Sequence, residues 1–374
     1  MLKGCVTPAR TVETVQDQLV KSGKVFKTNV EENVRQRVAG VEETGIEEAI
    51  SGSEANTQDE KSQTTRQRLR LDEHRSENAF KQRQITEPQL KIGDQTVSTE
   101  TKVISRILSL SKNIAETYGF VTLQFFNRGY LNITKSWVCN VKCMGVLPKI
   151  LFIATDQVAL DGLSKFHPEV QVLPLPLETL FKLSIGFVAY YRFILLRTWV
   201  ILVLLQSDIP VTLIESDAVW FDDALPIINS YAAYDIVSAP NGATERGISG
   251  GFIYLSNTQV TKALWWDVFH RFEVCVNGLN DESQKMGYSS SEMKILSEEL
   301  TKTDIRVKTL PLENFVSGLW YKKPKLREIT NPVVIQVNYV IGVDEKIKLA
   351  KRWGHWFLTD DGQCEENNAI MKCQ

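Results

Sequence analysis

The run Val211-Thr212-Leu213-Ile214 is an almost continuous apolar strand that ends abruptly in Glu215-Ser216-Asp217. A strand without a polar face has to be covered on both sides, which places it inside a mainly parallel sheet with helices above and below. Two carboxylates one residue apart at the end of such a strand need a cation or a donor network, because unpaired buried charge is expensive. The same four residues therefore constrain the fold and point to a site.

The rest of the chain alternates in the same manner. Val121–Phe126, Ile150–Ala154, Val170–Leu173, residues 234–239, 251–255 and 333–337 read as further strands. Residues 137–145, 185–206, 262–274 and 290–300 read as helices. Strands alternating with helices predict a layered α/β domain with a mainly parallel sheet. The run Ile194–Leu205 is interrupted by Arg197. It falls short of the roughly 20 residues that span a bilayer, and reads as a buried core helix.

Composition changes near residue 100. All eight Trp lie from Trp137 onward, whereas residues 1–100 mix both charge signs with Gln, Thr and Ser. Such a segment buries too little apolar surface to offset its ordering entropy and is expected to be a largely disordered stem or tail, with at most weak helices around 33–38 and 65–79. Residues 101–374 are the expected folded domain. The start of the chain lacks the apolar stretch of a signal peptide. A net charge of -2 gives no reason to expect nucleic acid or a polybasic membrane surface. The six cysteines, Cys5, Cys139, Cys143, Cys275, Cys364 and Cys373, match no zinc spacing. They allow one or two disulfides, with buried thiols the favoured reading at Cys139 and Cys143.

Ligands of open α/β sheets sit beyond the carboxyl ends of the strands, where Glu215 and Asp217 are expected. Paired acids there suit a hard divalent ion, Mn²⁺ or Mg²⁺, which opposes charge on a departing diphosphate. Gly250 and Gly251 allow backbone to approach a ligand closely. Lys346, one helical turn after Gly342, can place an ammonium on a phosphate. Asp281 and Glu282, in a loop-like setting, are the candidates for a supporting catalytic carboxylate.

Leu213-Ile214-Glu215-Ser216-Asp217-Ala218-Val219-Trp220-Phe221 resembles the D-x-D-x-x-W signature of the nucleotide-diphospho-sugar transferases, the group that includes plant rhamnogalacturonan xylosyltransferases. Five further segments follow in the family's order. They are Asn127-Arg128-Gly129-Tyr130 with Trp137; Tyr191 and Arg197; Ser249-Gly250-Gly251-Phe252-Ile253-Tyr254; Leu310–Gly318; and Gln336-Val337-Asn338 with Gly342 and Lys346. The resemblance runs along most of residues 118–358. It implies a GT-A-type, Rossmann-like fold and metal-dependent transfer from a UDP-sugar to a hydroxyl of a glycan or glycoprotein, with retention of configuration. It also implies a Golgi lumenal location, with membrane association if an N-terminal anchor precedes this chain. In that scheme Asp217, Glu215 and Gln336 hold the metal, Lys346 contacts the diphosphate, and Gly250 and Gly251 line the pocket. Three positions depart from the pattern: Glu215 for Asp, Ser249-Gly250 for Asn-Thr, and Gln336 for His. The last replaces a basic ligand by a neutral one and carries the alternative of a non-catalytic protein that binds nucleotide-sugar or a partner transferase.

Overall fold

The computed structural model describes residues 97–176, 188–242, 247–279, 284, 286–287, 290–368 and 370. The expected tail, apart from residues 97–100, lies outside the described residues, including its two weak helices. In chain order the regular elements are α1 (Val97–Tyr118), β1 (Val121–Phe126), α2 (Leu131–Val141), β2 (Ile150–Ala154), α3 (Gln157–Phe166), β3 (Gln171–Pro174), α4 (Val188–Gln206), β4 (Val211–Ile214), β5 (Ala218–Trp220) and α5 (Leu225–Ser230). They continue with β6 (Ile236–Pro240), β7 (Ile248–Leu255), α6 (Gln259–Asn277), α7 (Glu292–Leu300), β8 (Val307–Thr309), β9 (Phe315–Ser317), α8 (Pro324–Glu328), β10 (Val334–Gln336) and α9 (Val343–Arg352).

Seven strands form one sheet in the order β3-β2-β1-β4-β7-β6-β8. Within it only β7 runs antiparallel to its neighbours. A second sheet, β5-β10-β9, is built from strands that leave the first. One face of the large sheet is covered by α1, α4, α6 and α7 through Ile107, Leu195, Ile201, Trp265, Phe269 and Leu296. The other is covered by α2, α3 and α5 through Trp137, Val138, Leu163 and Ile228. Both faces of β1, β2 and β4 are buried, which is why these strands read as continuous apolar runs. The architecture is the GT-A-type, mainly parallel α/β fold that the resemblance implies.

The helix α4 is long and apolar enough to cross a membrane by length and composition, but most of it is buried within the domain. It is the core helix expected from Arg197 and its neighbours. Two expectations change. The helix read at 137–145 begins six residues earlier, at Leu131, so that Thr134 and Ser136 also face inward. Cys139 is not a thiol: it is bonded to Cys364 across a sequence separation of 225 residues, and Cys143 is also disulfide-bonded. The bond ties α2 to the C-terminal segment that packs Phe357 and Leu358 against Val219.

Beside the small sheet, Trp320, Tyr321 and Phe221 pack against His355, and Trp353 packs on Trp320 and Tyr321. The Tyr321 hydroxyl lies 2.7 Å from His355 Nδ1. Burial lowers the imidazole pKa to about 4, so the folded protein keeps the ring neutral. The unfolded chain takes up its proton near pH 6.5. Stability from this group is therefore full above that value and is lost as pH falls toward 4, a change on the order of 3 kcal/mol. Urea titrations across this window should show that slope in the wild type and a flatter dependence in His355→Gln.

Candidate active site

Beyond Ile214 the chain passes from the large sheet into the small one. The Glu215 N–H still donates to the Gly251 carbonyl at 3.0 Å, and the Asp217 carbonyl accepts from the Val337 N–H at 2.7 Å. Ser216, between the acids, is buried and bonds the Thr134 hydroxyl of α2 at 2.9 Å. The acidic segment is thus held by both sheets at the carboxyl end of a central strand, where open α/β sheets bind ligands.

Each acid has a cation. Lys346, in the first turn of α9, pairs with Asp217 Oδ2 and donates to the Tyr130 hydroxyl at 3.2 Å. Burial works against the Lys346 charge, but Asp217 outweighs it and holds the ammonium protonated, its pKa above the ordinary value. Burial, then Asp217, pushes the Tyr130 phenol up to about 12. Arg197 donates to Glu215 Oε1 at 3.1 Å and to Glu292 Oε2 at 2.7 Å. Its guanidinium is likewise disfavoured by burial and retained by Glu292 and Glu215, which raise its pKa. Glu292 receives a second bond, from the Thr198 hydroxyl at 3.1 Å. For Glu215, burial and the nearby Asp217 raise the carboxyl pKa against the pull of Arg197 and Lys346.

Gln336 closes the network. Its Nε2 donates to Glu215 Oε2 at 2.9 Å, and its Oε1 accepts from the Ser249 hydroxyl at 2.9 Å. A carboxylate only accepts, so the amide must turn its nitrogen to Glu215 and its oxygen to Ser249. In this arrangement the Gln336 carbonyl accepts from Ser249, which leaves it a second lone pair, and its N–H faces Glu215. Gly251 makes the slot: a Cβ there would stand 1.3 Å from Gln336 Nε2. Gly250 likewise leaves room for Met293, whose sulfur would lie 2.5 Å from a Cβ at that position.

Two cavities meet at this network. One, of about 270 Å³, is lined by Phe126, Asn127, Tyr130, Asp217, Tyr339 and Lys346, among others. The other, of about 250 Å³, is lined by Tyr191, Ser249, Gly250, Gly251, Glu292 and Met293, among others. Glu215, Arg197, Tyr190 and Asn338 line both. Of the residues expected from sequence, Glu215, Asp217, Gln336, Lys346, Gly250 and Gly251 come together here. Asp281 and Glu282 lie outside the described residues. Glu292 went unread in the sequence. Its signal was faint: an acid directly after Ser291, which caps α7 by accepting from the Lys294 N–H.

Among the described residues Glu215, Asp217 and Glu292 pair with two cations, Arg197 and Lys346, which leaves one negative charge uncompensated. Lys346 takes Oδ2 of Asp217 and leaves Oδ1 for another partner. Hard oxygen donors with residual negative charge fit a divalent ion held by Asp217 and Glu215. Among the described residues no group of three or more His, Cys, Asp or Glu side chains forms a metal cluster.

A sequence profile of the nucleotide-diphospho-sugar transferases matches residues 145–349, and the chain belongs to that family. It is a glycosyltransferase that takes a nucleotide-sugar donor. It is 22% identical over 280 residues to a UDP-D-xylose:L-fucose alpha-1,3-D-xylosyltransferase of Arabidopsis thaliana, covering 68% of this chain and 73% of that protein. Similar solved structures include the galactosyltransferase LgtC with donor and acceptor sugar analogues, at a TM-score of 0.39 and 12% identity over 62% of this chain and 96% of that one. The bifunctional glycosyltransferase WbbM matches at a TM-score of 0.40 and 12% identity over 62% of this chain, which spans about half (49%) of WbbM.

Proposed function

We propose that this protein transfers a sugar from a UDP-sugar to a hydroxyl of a glycan or glycoprotein with retention of configuration. The observation that carries the reading is the placement of Lys346, Asp217 and Glu215 in the wall of one cavity at the carboxyl end of β4, with Glu215 also lining a second. The 270 Å³ cavity suits the nucleotide, with Tyr130, Phe126 and Tyr339 as its aromatic wall. Lys346 is placed to hold a diphosphate oxygen, and charge-assisted bonds of this kind are the strong ones. The bond from the anomeric carbon to the β-phosphate oxygen breaks, and its electron pair leaves with UDP. The acceptor oxygen forms its bond to the same carbon on the same face and gives its proton to the departing phosphate. The Arabidopsis relative makes an alpha linkage; alpha product from an alpha-linked nucleotide-sugar is retention. A divalent ion at Asp217 and Glu215 would, when bound, supply positive charge against the leaving diphosphate. Arg197 and Gln336 hold Glu215 in place, and Asp217 holds Lys346.

The disulfide-bonded Cys139, Cys364 and Cys143 support an oxidising compartment, in keeping with a Golgi lumen. The organisation into a stem over residues 1–100 and a domain over 101–374 belongs to the same proposal.

UDP release would be followed with a panel of UDP-sugars, in Mn²⁺ and in EDTA. Metal-stimulated turnover is expected, falling about 10²–10³-fold in Asp217→Ala, with circular dichroism as the fold control. Turnover indifferent to EDTA would remove the metal from the reading. Release of UDP from none of the donors would sink the transfer reading and favour a binding protein.

A further inference from the structure

Asn132-Ile133-Thr134 is the one N-x-Ser/Thr triplet in the chain, the acceptor pattern for an N-linked glycan. The fold separates its members. Asn132 is exposed, whereas Ile133 and Thr134 are buried. Asn132 stands in the first turn of α2. Side chains there tilt toward the helix N-terminus, so a bulky group on Asn132 leaves the helix at its end. The Thr134 hydroxyl donates its one proton to the Tyr130 carbonyl at 3.0 Å. It therefore accepts from the Ser216 hydroxyl at 2.9 Å. A glycosylating enzyme has to engage that hydroxyl together with the Asn132 amide. In a helix, residues two apart do not share a face. The folded triplet is thus closed to the reaction, and the growing chain is open to it.

The partners that close the triplet come late. Ser216 lies 82 residues after Thr134, and Cys364 lies 225 residues after Cys139. At roughly 5–20 residues per second, synthesis takes about 4–16 s to reach Ser216 and about 11–45 s to reach Cys364. At 11 residues, α2 is too short to hold as an isolated helix meanwhile. The disulfide-bonded Cys139, Cys364 and Cys143 support the secretory compartments, where such transfer takes place.

We infer that Asn132 carries an N-linked glycan, added before Ser216 seals Thr134. The inference rests on the lumenal compartment proposed above and is independent of the transfer reading. In the step itself the Asn132 amide nitrogen bonds to the anomeric carbon of an oligosaccharide carried on a lipid diphosphate. The bond from that carbon to the phosphate oxygen breaks, and its electron pair leaves with the lipid diphosphate. The amide proton passes to a base of the glycosylating enzyme. Folding then buries Thr134 and leaves the glycan at the solvent end of α2.

The full chain, purified from its own cells, is treated with a peptide N-glycosidase in heavy-oxygen water and mapped by mass spectrometry. Residue 132 should be read as Asp carrying the heavy oxygen, and the intact protein should lose the mass of one glycan. Asn132→Gln, at an exposed position, should show neither change. If that variant fails to accumulate, the wild-type map still decides. An unmodified Asn132 overturns the inference. The unreduced digest then separates the causes: a Cys139–Cys364 peptide leaves the compartment reading standing, and free thiols remove it as well. A second arm tests the order of events. Full chain made in cells depleted of the lipid-linked oligosaccharide is offered to solubilised glycosylating membranes with that donor. The reduced, unfolded chain should be modified, and the native chain about tenfold or more slowly, since Thr134 is reached there through local opening. Equal rates for the two would overturn the claim that folding closes the triplet.

Discussion

Arg197→Met is expected to destabilise the domain by about 3–5 kcal/mol, because it removes one partner of a buried ionic network and leaves the others without it. Arg197 is 4% exposed and Glu292 is 4% exposed, so water cannot replace the lost partner. Methionine keeps the length of the side chain in α4, which separates loss of charge from loss of packing. Among the described residues Glu292 then keeps the Thr198 hydroxyl, and Glu215 the Gln336 amide. The cost should appear as a lower urea midpoint at an unchanged slope. The double variant Arg197→Met/Glu292→Gln should recover a large part of it, since the glutamine carries no charge to bury. A single variant within 1 kcal/mol of wild type, a size usual for exposed pairs, would mean that the network is hydrated and contributes little.

That arginine was visible in the sequence as a fault in an apolar helix, but its partners were not. Glu292 lies 95 residues further on and carries no pattern of its own. The strands were legible because burial on both faces writes itself as an unbroken apolar run: β1, β2 and β4 have the limits the sequence suggested. The helix α1 escaped although Val103, Ile104, Ile107, Leu108, Ile114 and Ala115 repeat at helical spacing and pack on the core. Its first turns fall where the composition changes from tail to domain, and the polar residues between hide the stripe. The helix α3 escaped too, with only Ala159 and Leu163 buried. The Cys139–Cys364 bond joins positions whose spacing holds no information, since closure depends on α2 and the C-terminal segment meeting in space. Within the site, Glu215, Asp217 and Lys346 were legible as residue types at strand and helix ends. The hydrogen bonds of Gln336 were not. In sequence it stands in a ligand's place; only the geometry of Ser249 and Gly251 shows which way its amide turns in this structure.

Gly251→Ala probes that amide directly. The added methyl would lie 1.3 Å from Gln336 Nε2, 2.3 Å from Cδ and 2.7 Å from Oε1, so the Gln336 side chain has to leave its slot. Both of its hydrogen bonds go with it, and the buried Ser249 hydroxyl and the half-buried Glu215 Oε2 lose that partner. Overpacking and the loss of these bonds together predict a loss of about 1–3 kcal/mol. Transfer should suffer separately, because Glu215 is then held by Arg197 alone and a misplaced acid at the reacting centre costs up to about 10²-fold. The second-site change Gln336→Ala distinguishes the two effects. In the Gly251→Ala background it removes the clash, so thermal stability should rise toward that of Gln336→Ala alone. Turnover should stay low, because no amide then orients Glu215. If the double variant regained wild-type kcat with its stability, Gln336 would be a packing residue only, and the Glu215 bond would have no part in the chemistry. If it regained neither, the effect of the methyl would have to run through the β7 backbone that receives the Glu215 N–H, and not through the amide.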